Sequence, residues 1–196
     1  QSQIYTEEIQ ISYTTVVRAT IINDTFFKTP VATQTFIFNG SNGLPVVSIS
    51  SDPKNFTDWY EGILVDGPNY PGPDPHYGAN YWQEWEKPVN FEYFNKEGIG
   101  RINQGAGIKV SGNWSRMNAQ KSLALYARKS YGKGSFKYKF FEDRESASFE
   151  SLTLRNSGND WSYTMMRDGL FSELAKEMNM ERLAYQPSVV YLNGEY

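Results

Sequence analysis

The sequence predicts an α+β fold, mostly antiparallel β-sheet with one main packed helix. Three observations predict it. Short runs rich in β-branched and aromatic residues recur along the 196 residues, clusters of turn-forming residues separate them, and only residues 163–178 carry apolar side chains at helical spacing.

Residues 9–22 and 32–38 are dense in Ile, Val, Thr and Phe and flank a turn at Asn23-Asp24, so they predict two strands of a small module. The run Asn39-Gly-Ser-Asn-Gly43 then predicts a linker over 39–43, dividing 1–38 from 44–196. Residues 44–50 read as a strand with Pro45 at its start, where a missing amide donor is tolerated. Residues 66–78 hold four prolines and three glycines and predict a loop, which 81–86 leave for the next strand. Strands are predicted at 89–94, 107–111, 121–128, 136–141 and 149–155, most with period-two alternation. In the helix at 163–178, Met166, Leu170, Leu174 and Met178 make one stripe beside Phe171 and Ala175, with Asp160 or Ser162 as N-cap and the stripe packed on the sheet. Residues 187–192 read as a strand, and Asn193-Gly194 as a hairpin turn of type I′. A return strand reduced to Glu195-Tyr196 predicts that the natural chain continues.

Composition excludes several functions. A net charge of −3 with scattered Lys and Arg gives no field for nucleic acid, and no run approaches the roughly 20 apolar residues of a membrane helix. Without cysteine there is no disulfide framework, thiol nucleophile or Cys-based zinc site. Aromatic residues make up 16% of the chain; strand propensity accounts for them, and a sugar-binding surface is the other reading.

From Leu44 onward, eight segments stand in the order found in one family. They are Leu44-Pro-Val-Val-Ser-Ile-Ser-Ser-Asp-Pro, Glu61-Gly-Ile-Leu-Val, Trp85-Glu-Lys-Pro-Val with Glu92-Tyr-Phe, and Gly107-Ile-Lys-Val-Ser-Gly-Asn-Trp-Ser-Arg. Gln120-Lys-Ser-Leu-Ala-Leu-Tyr, Leu154-Arg-Asn-Ser-Gly-Asn-Asp, Met166-Arg-Asp and Val190-Tyr-Leu-Asn-Gly-Glu-Tyr follow. Together they resemble the N-terminal part of the CotH (spore-coat protein H) kinase domain. Residues 5–38, with Thr15-Val-Val-Arg-Ala and Thr33-Gln-Thr-Phe, resemble the last strands of a chitobiase C-terminal-like, immunoglobulin-like β module. The resemblance implies the smaller lobe of an atypical protein kinase that uses ATP and Mg²⁺ to phosphorylate Ser residues of partner proteins. In the family the catalytic and metal-binding aspartates lie downstream of the Asn-Gly-Glu-Tyr hairpin. The expectation is therefore no catalytic residue, no metal ligand and no cofactor in this stretch, which would be inactive alone. A bacterial exported or cell-surface protein is implied. The other reading is a non-catalytic extracellular β-rich module that holds a glycan or a protein through its aromatic strands and the 70–85 loop.

Alternation in Lys121-Ser-Leu-Ala-Leu-Tyr-Ala puts Lys121 on the apolar face with Leu123, Leu125 and Ala127, a costly place for an ammonium without a partner. A kinase needs one sheet lysine aimed at the ATP phosphates, so Lys121 is the candidate; snorkelling to water is its ordinary alternative. Glu173, Asp168 or Arg167 of the helix could orient it, and a solvated helix face is the ordinary reading of all three. Gly105, Gly107 and Gly112 with Asn113 and Ser115 do not match the spacing of a phosphate loop. Asp66, Asp74 and His76 lack the spacing of a metal site and predict solvent-facing turn residues. Asn-x-Ser/Thr stands at Asn23, Asn39, Asn55 and Asn113 and carries no assignment.

Overall fold

The computed structural model describes residues 4–22, 29–38, 42–70 and 72–196. Six strands form one sheet in the order β10-β3-β4-β5-β6-β9, with β3 at Val46–Ser50, β4 at Lys87–Phe94, β5 at Gly100–Ser111, β6 at Ser122–Tyr126, β9 at Ser151–Leu154 and β10 at Val189–Leu192. All neighbours are antiparallel except β10 and β3, which run parallel. Two small sheets stand apart: β1 (Thr15–Ala19) with β2 (Ala32–Phe36), and β7 (Phe136–Lys137) with β8 (Ser148–Phe149). The chain is therefore mostly β with one main helix, as the sequence predicts. The turn expected at Asn23-Asp24 and residues 39–41 of the expected linker lie outside the described residues. Asn42 and Gly43 form a turn at φ of 51° and 77°, the second a value glycine accepts without strain.

Alternation decides which side chains enter the core. Val47 and Ile49, Val89, Phe91 and Tyr93, Ile102, Ala106, Ile108 and Val110, and Leu123, Leu125 and Ala127 all belong to one buried cluster. Segments outside the sheet cover it: Phe56 of the short helix α1 (Lys54–Thr57), Ile63, Tyr81, Phe136 and Phe140. Aromatic rings meet there edge to face, Phe91 on Phe136 and Tyr93 on Phe140 with centroids 4.9 and 4.8 Å apart.

The opposite face carries polar residues. At β3 and β4 it is covered by β2: Thr35 N–H donates to Glu92 Oε1 at 3.0 Å, Thr35 Oγ1 lies 2.5 Å from Oε2, and Asn103 Nδ2 donates to Thr33 O at 2.7 Å. Farther along, the turn at residues 128–132 lies directly on β5. A Cβ at Gly105 would collide with the Tyr131 carbonyl, and one at Gly107 with Glu86 and the Tyr131 ring. These glycines permit a close backbone approach and form no phosphate loop.

Four expectations need correction. Residues 81–86 do not lead straight into a strand: Asn80–Trp82 form a 3₁₀ turn, and β4 starts at Lys87. Of 136–141 only Phe136–Lys137 pair as a strand, because the remaining aromatics pack as an irregular cover. The main helix, α2, runs over Arg167–Leu174 and ends in a 3₁₀ turn at Ala175–Glu177. Its stripe does not pack on the sheet: Leu170, Phe171 and Leu174 are 47%, 64% and 61% exposed, and only Gly169 is buried, against the Tyr185 ring.

Candidate functional site

Lys121 stands one residue before β6 on the core-side face that alternation assigned to it. Its amine lies 3.9 Å from the centroid of the Tyr81 ring and donates to the carbonyls of Arg116 at 2.9 Å and Asn118 at 3.0 Å. Burial lowers the amine to about 8, against a small opposing pull from Asp66. At neutral pH it is an ammonium.

A built frame surrounds this amine. Tyr81 is buried, and its hydroxyl meets His76 Nδ1 at 2.8 Å; burial first, then Asp66, pushes the phenol up. His76 Nε2 meets Asp74 Oδ1 at 2.9 Å and Tyr70 Oη at 3.3 Å. His76 is thus not the solvent-facing turn residue expected of it, since its side chain is only 19% exposed. Arg116 joins this loop to the turn that holds Lys121: its Nη1 donates to the carbonyls of Tyr81 and Trp82, both at 3.3 Å, and its Nε to Gly112 O at 2.7 Å.

The turn 155–160 supplies the other wall. Asn156, 1% exposed, donates Nδ2 to Gln120 O at 2.6 Å and accepts from Ser122 Oγ at 2.8 Å and Gly158 N–H at 3.0 Å. Asp160, one of the two expected caps, accepts from Thr164 Oγ1 at 2.5 Å and from the amides of Met166 and Arg167 at 3.1 Å, which satisfies donors at the start of α2. Burial would raise its carboxyl, but the bonds from Thr164, Arg167 and Met166 outweigh that and bring it to about 2.

Between this turn and α2 lies an open cleft of about 390 Å³, lined by Arg155, Ser157, Asp160, Arg167, Asp168 and Phe171. Arg155 Nε donates to Asp168 Oδ2 at 2.7 Å, and Arg167 Nε lies 3.2 Å from Asp160 Oδ1. Glu173 lines a separate hollow of about 170 Å³ with Lys96, Asp143 and Arg182, and pairs with Lys176 at 3.1 Å. The four residues singled out in the sequence therefore fall in three places. Arg167 and Asp168 share the cleft, Glu173 lies in the second hollow, and Lys121 lies on Tyr81. The expected ion pair of Lys121 with Glu173 or Asp168 is absent; backbone carbonyls hold the amine instead. Asn156, Tyr81 and Arg155 were not assigned from sequence, although Asn156 and Arg155 lie within the family-like segment Leu154-Arg-Asn-Ser-Gly-Asn-Asp.

Lys121, Asn156, the cleft and α2 all lie in one stretch that resembles a known family. Residues 108–196 match the CotH kinase protein family. The CotH match starts inside β5, so the segments read as CotH-like between Leu44 and Glu92 lie ahead of it, as do the residues that resemble a chitobiase C-terminal-like module. No curated protein and no solved structure matches the chain.

Proposed function

We propose that this chain is part of a CotH-like atypical protein kinase, which transfers phosphate from ATP to Ser residues of partner proteins, with Lys121 as the amine that meets the nucleotide phosphates. The observation that carries the reading is a charged lysine held at a fixed point on the sheet, within the stretch that matches the CotH family. Two of the three ammonium donors are directed at carbonyls, so a phosphate oxygen would be received by exchange for one of these bonds. Arg155 and Arg167 supply further positive charge in the cleft, each facing a carboxylate.

The reading implies Mg²⁺, but the residues present do not fit it. Among the described residues no three Asp, Glu or His side chains converge on one point, and hard divalent cations need several oxygen ligands.

Calorimetric titration of the protein with ATP and MgCl₂ tests the proposal. Lys121→Met covers the same apolar surface but leaves the carbonyls of Arg116 and Asn118 without the amine; thermal unfolding reads that cost separately, and ATP binding should be abolished in the folded variant. Lys121→Arg should not restore it, because a planar fork does not replace a compact ammonium. Unchanged ATP binding by Lys121→Met would refute the assignment.

A second reading, a non-catalytic module that holds a glycan or a protein, draws on the exposed rings of Trp59, Tyr60, Tyr77 and Trp114. Binding of oligosaccharides without binding of ATP would favour it.

A further inference from the structure

The turn 155–160 explains more than the start of α2. Asn156 uses all the hydrogen-bonding capacity of its side chain on the chain around Lys121. Nδ2 donates to Gln120 O at 2.6 Å and reaches Ser115 O at 3.5 Å, while Oδ1 accepts from Ser122 Oγ at 2.8 Å and from Gly158 N–H at 3.0 Å. Its backbone N–H donates to the same Ser122 hydroxyl at 3.1 Å. Gln120 and Ser122 are the two chain neighbours of Lys121. Ser115 belongs to the 3₁₀ turn Trp114–Met117, whose Arg116 carbonyl receives the lysine amine.

We propose that Asn156 is a positioning residue for Lys121: its carboxamide clamps both flanks of the lysine, and the turn that receives the amine, to the segment that opens α2. The proposal rests on the reading of Lys121 as the phosphate-facing amine. An amide is required chemically, because the site offers two carbonyl acceptors on one side and two donors on the other, and only a group with both an N–H₂ and a C=O answers both. At 1% exposure no water replaces a lost partner, so each bond removed leaves a buried group unpaired. The backbone beside it reinforces the clamp. Ser157 and Gly158 have φ of 66° and 56°, and Ser157 Oγ donates to Met165 O at 2.6 Å. From there the Asp160 carboxylate carries the connection to the amides of Met166 and Arg167. Lys121, the cleft and the start of α2 are thus joined by one continuous set of hydrogen bonds.

The test reads the lysine itself. In the full chain, Asn156→Ala removes every side-chain bond of the clamp and adds no charge beside Lys121. Amine acylation is followed by mass spectrometry across pH, with Lys109 and Lys87, paired with Glu84 and Glu61, as internal references. The expected result is a Lys121 midpoint that rises from about 8 toward that of an ordinary lysine, by about one pH unit or more, while the two references stay in place. An unchanged Lys121 profile overturns the proposal, and so does a parallel shift of all three lysines, which would make Asn156 a general support of the fold. If Asn156→Ala does not fold, Ser122→Ala removes two bonds of the clamp, the one its hydroxyl donates to Oδ1 and the one it accepts from the Asn156 N–H; it should shift Lys121 in the same direction by less, and no shift overturns the proposal. ATP titration separates the two claims: a Lys121 profile that moves in a protein that does not bind ATP leaves the clamp standing and removes the nucleotide reading.

Discussion

Glu92 is 1% exposed and, among the described residues, pairs with no cation, which makes it a sensitive place to perturb the chain. The charged side chains on the strands around it are Lys87 on β4, Arg101 and Lys109 on β5 and Arg18 on β1. The two lysines pair with Glu61 and Glu84, and neither arginine forms an ion pair with Glu92. On β10, Tyr191 stands opposite Ser48, whose hydroxyl meets Thr35 Oγ1 at 2.8 Å. Burial raises the Glu92 carboxyl above 4.5, against the bonds it receives from Thr35. A carboxyl raised on folding holds its proton more tightly in the native chain. Its contribution to stability is therefore fully present below about 4.5 and is lost as pH rises through the folded value, at about 1.4 kcal/mol per pH unit inside that window. Glu92→Gln removes the charge and keeps the shape: the amide oxygen accepts from Thr35 N–H, and the amide nitrogen donates to Thr35 Oγ1. The variant should be more stable than the parent by about 1–2 kcal/mol at neutral pH, the size of an uncompensated buried charge after two hydrogen bonds offset part of it. The gain should vanish in mild acid. Urea denaturation of both proteins between about pH 4 and pH 8 measures the difference, in which the other carboxylates cancel. A variant less stable at neutral pH, or a difference that does not change with pH, would refute the reasoning.

Gly105→Ala drives a methyl group into the Tyr131 carbonyl and should cost about 2 kcal/mol or more, whereas Gly100→Ala on the same strand meets only the Phe94 ring at 3.6 Å and should be nearly neutral. Equal losses in thermal unfolding would contradict the close approach of the two backbones. Asp160→Asn should speed hydrogen exchange at the amides of Met166 and Arg167, which the carboxylate accepts, and at Leu170, which donates to Met166 O. The carboxylate's contribution is present above 3.8 and is lost as pH falls through about 2, so unchanged exchange at neutral pH would remove its role at the helix start.

Alternation made much of the sheet legible. Leu123, Leu125 and Ala127 face the core as their spacing requires, and the same count put Lys121 beside them, where it meets Tyr81. The first half of β5 was hidden because Arg101, Asn103 and Gly105 on its outer face look like a loop, while only Ile102 and Ala106 mark the inner one. The helix was legible as an apolar stripe, but a stripe does not say what it meets. Leu170 and Leu174 are exposed, and α2 starts only at Arg167 because Thr164 and Met166 are bonded to Asp160. The partners expected for Lys121 were carboxylates, since charge pairing is the pattern sequence displays. Backbone carbonyls, which carry no residue signature, took their place. Asn156 lay in a family-like segment without a role, because a buried asparagine reveals itself only when its acceptors, far apart in sequence, are seen together.

The parallel pairing of β10 with β3 also sets the order in which the molecule can be made. Strands β3, β4, β5 and β6 are joined by neighbours in the chain and can zip together as they emerge from the ribosome, whereas Ser51 N–H bonds to Asn193 Oδ1 across 142 residues. Until Asn193 has been synthesised, one side of β3 presents unpaired backbone donors and acceptors to solvent, the open strand edge on which nascent chains stick to one another. Closing so long a loop is slow compared with the local pairings that precede it. The parallel join is thus the long-range step in assembling this sheet.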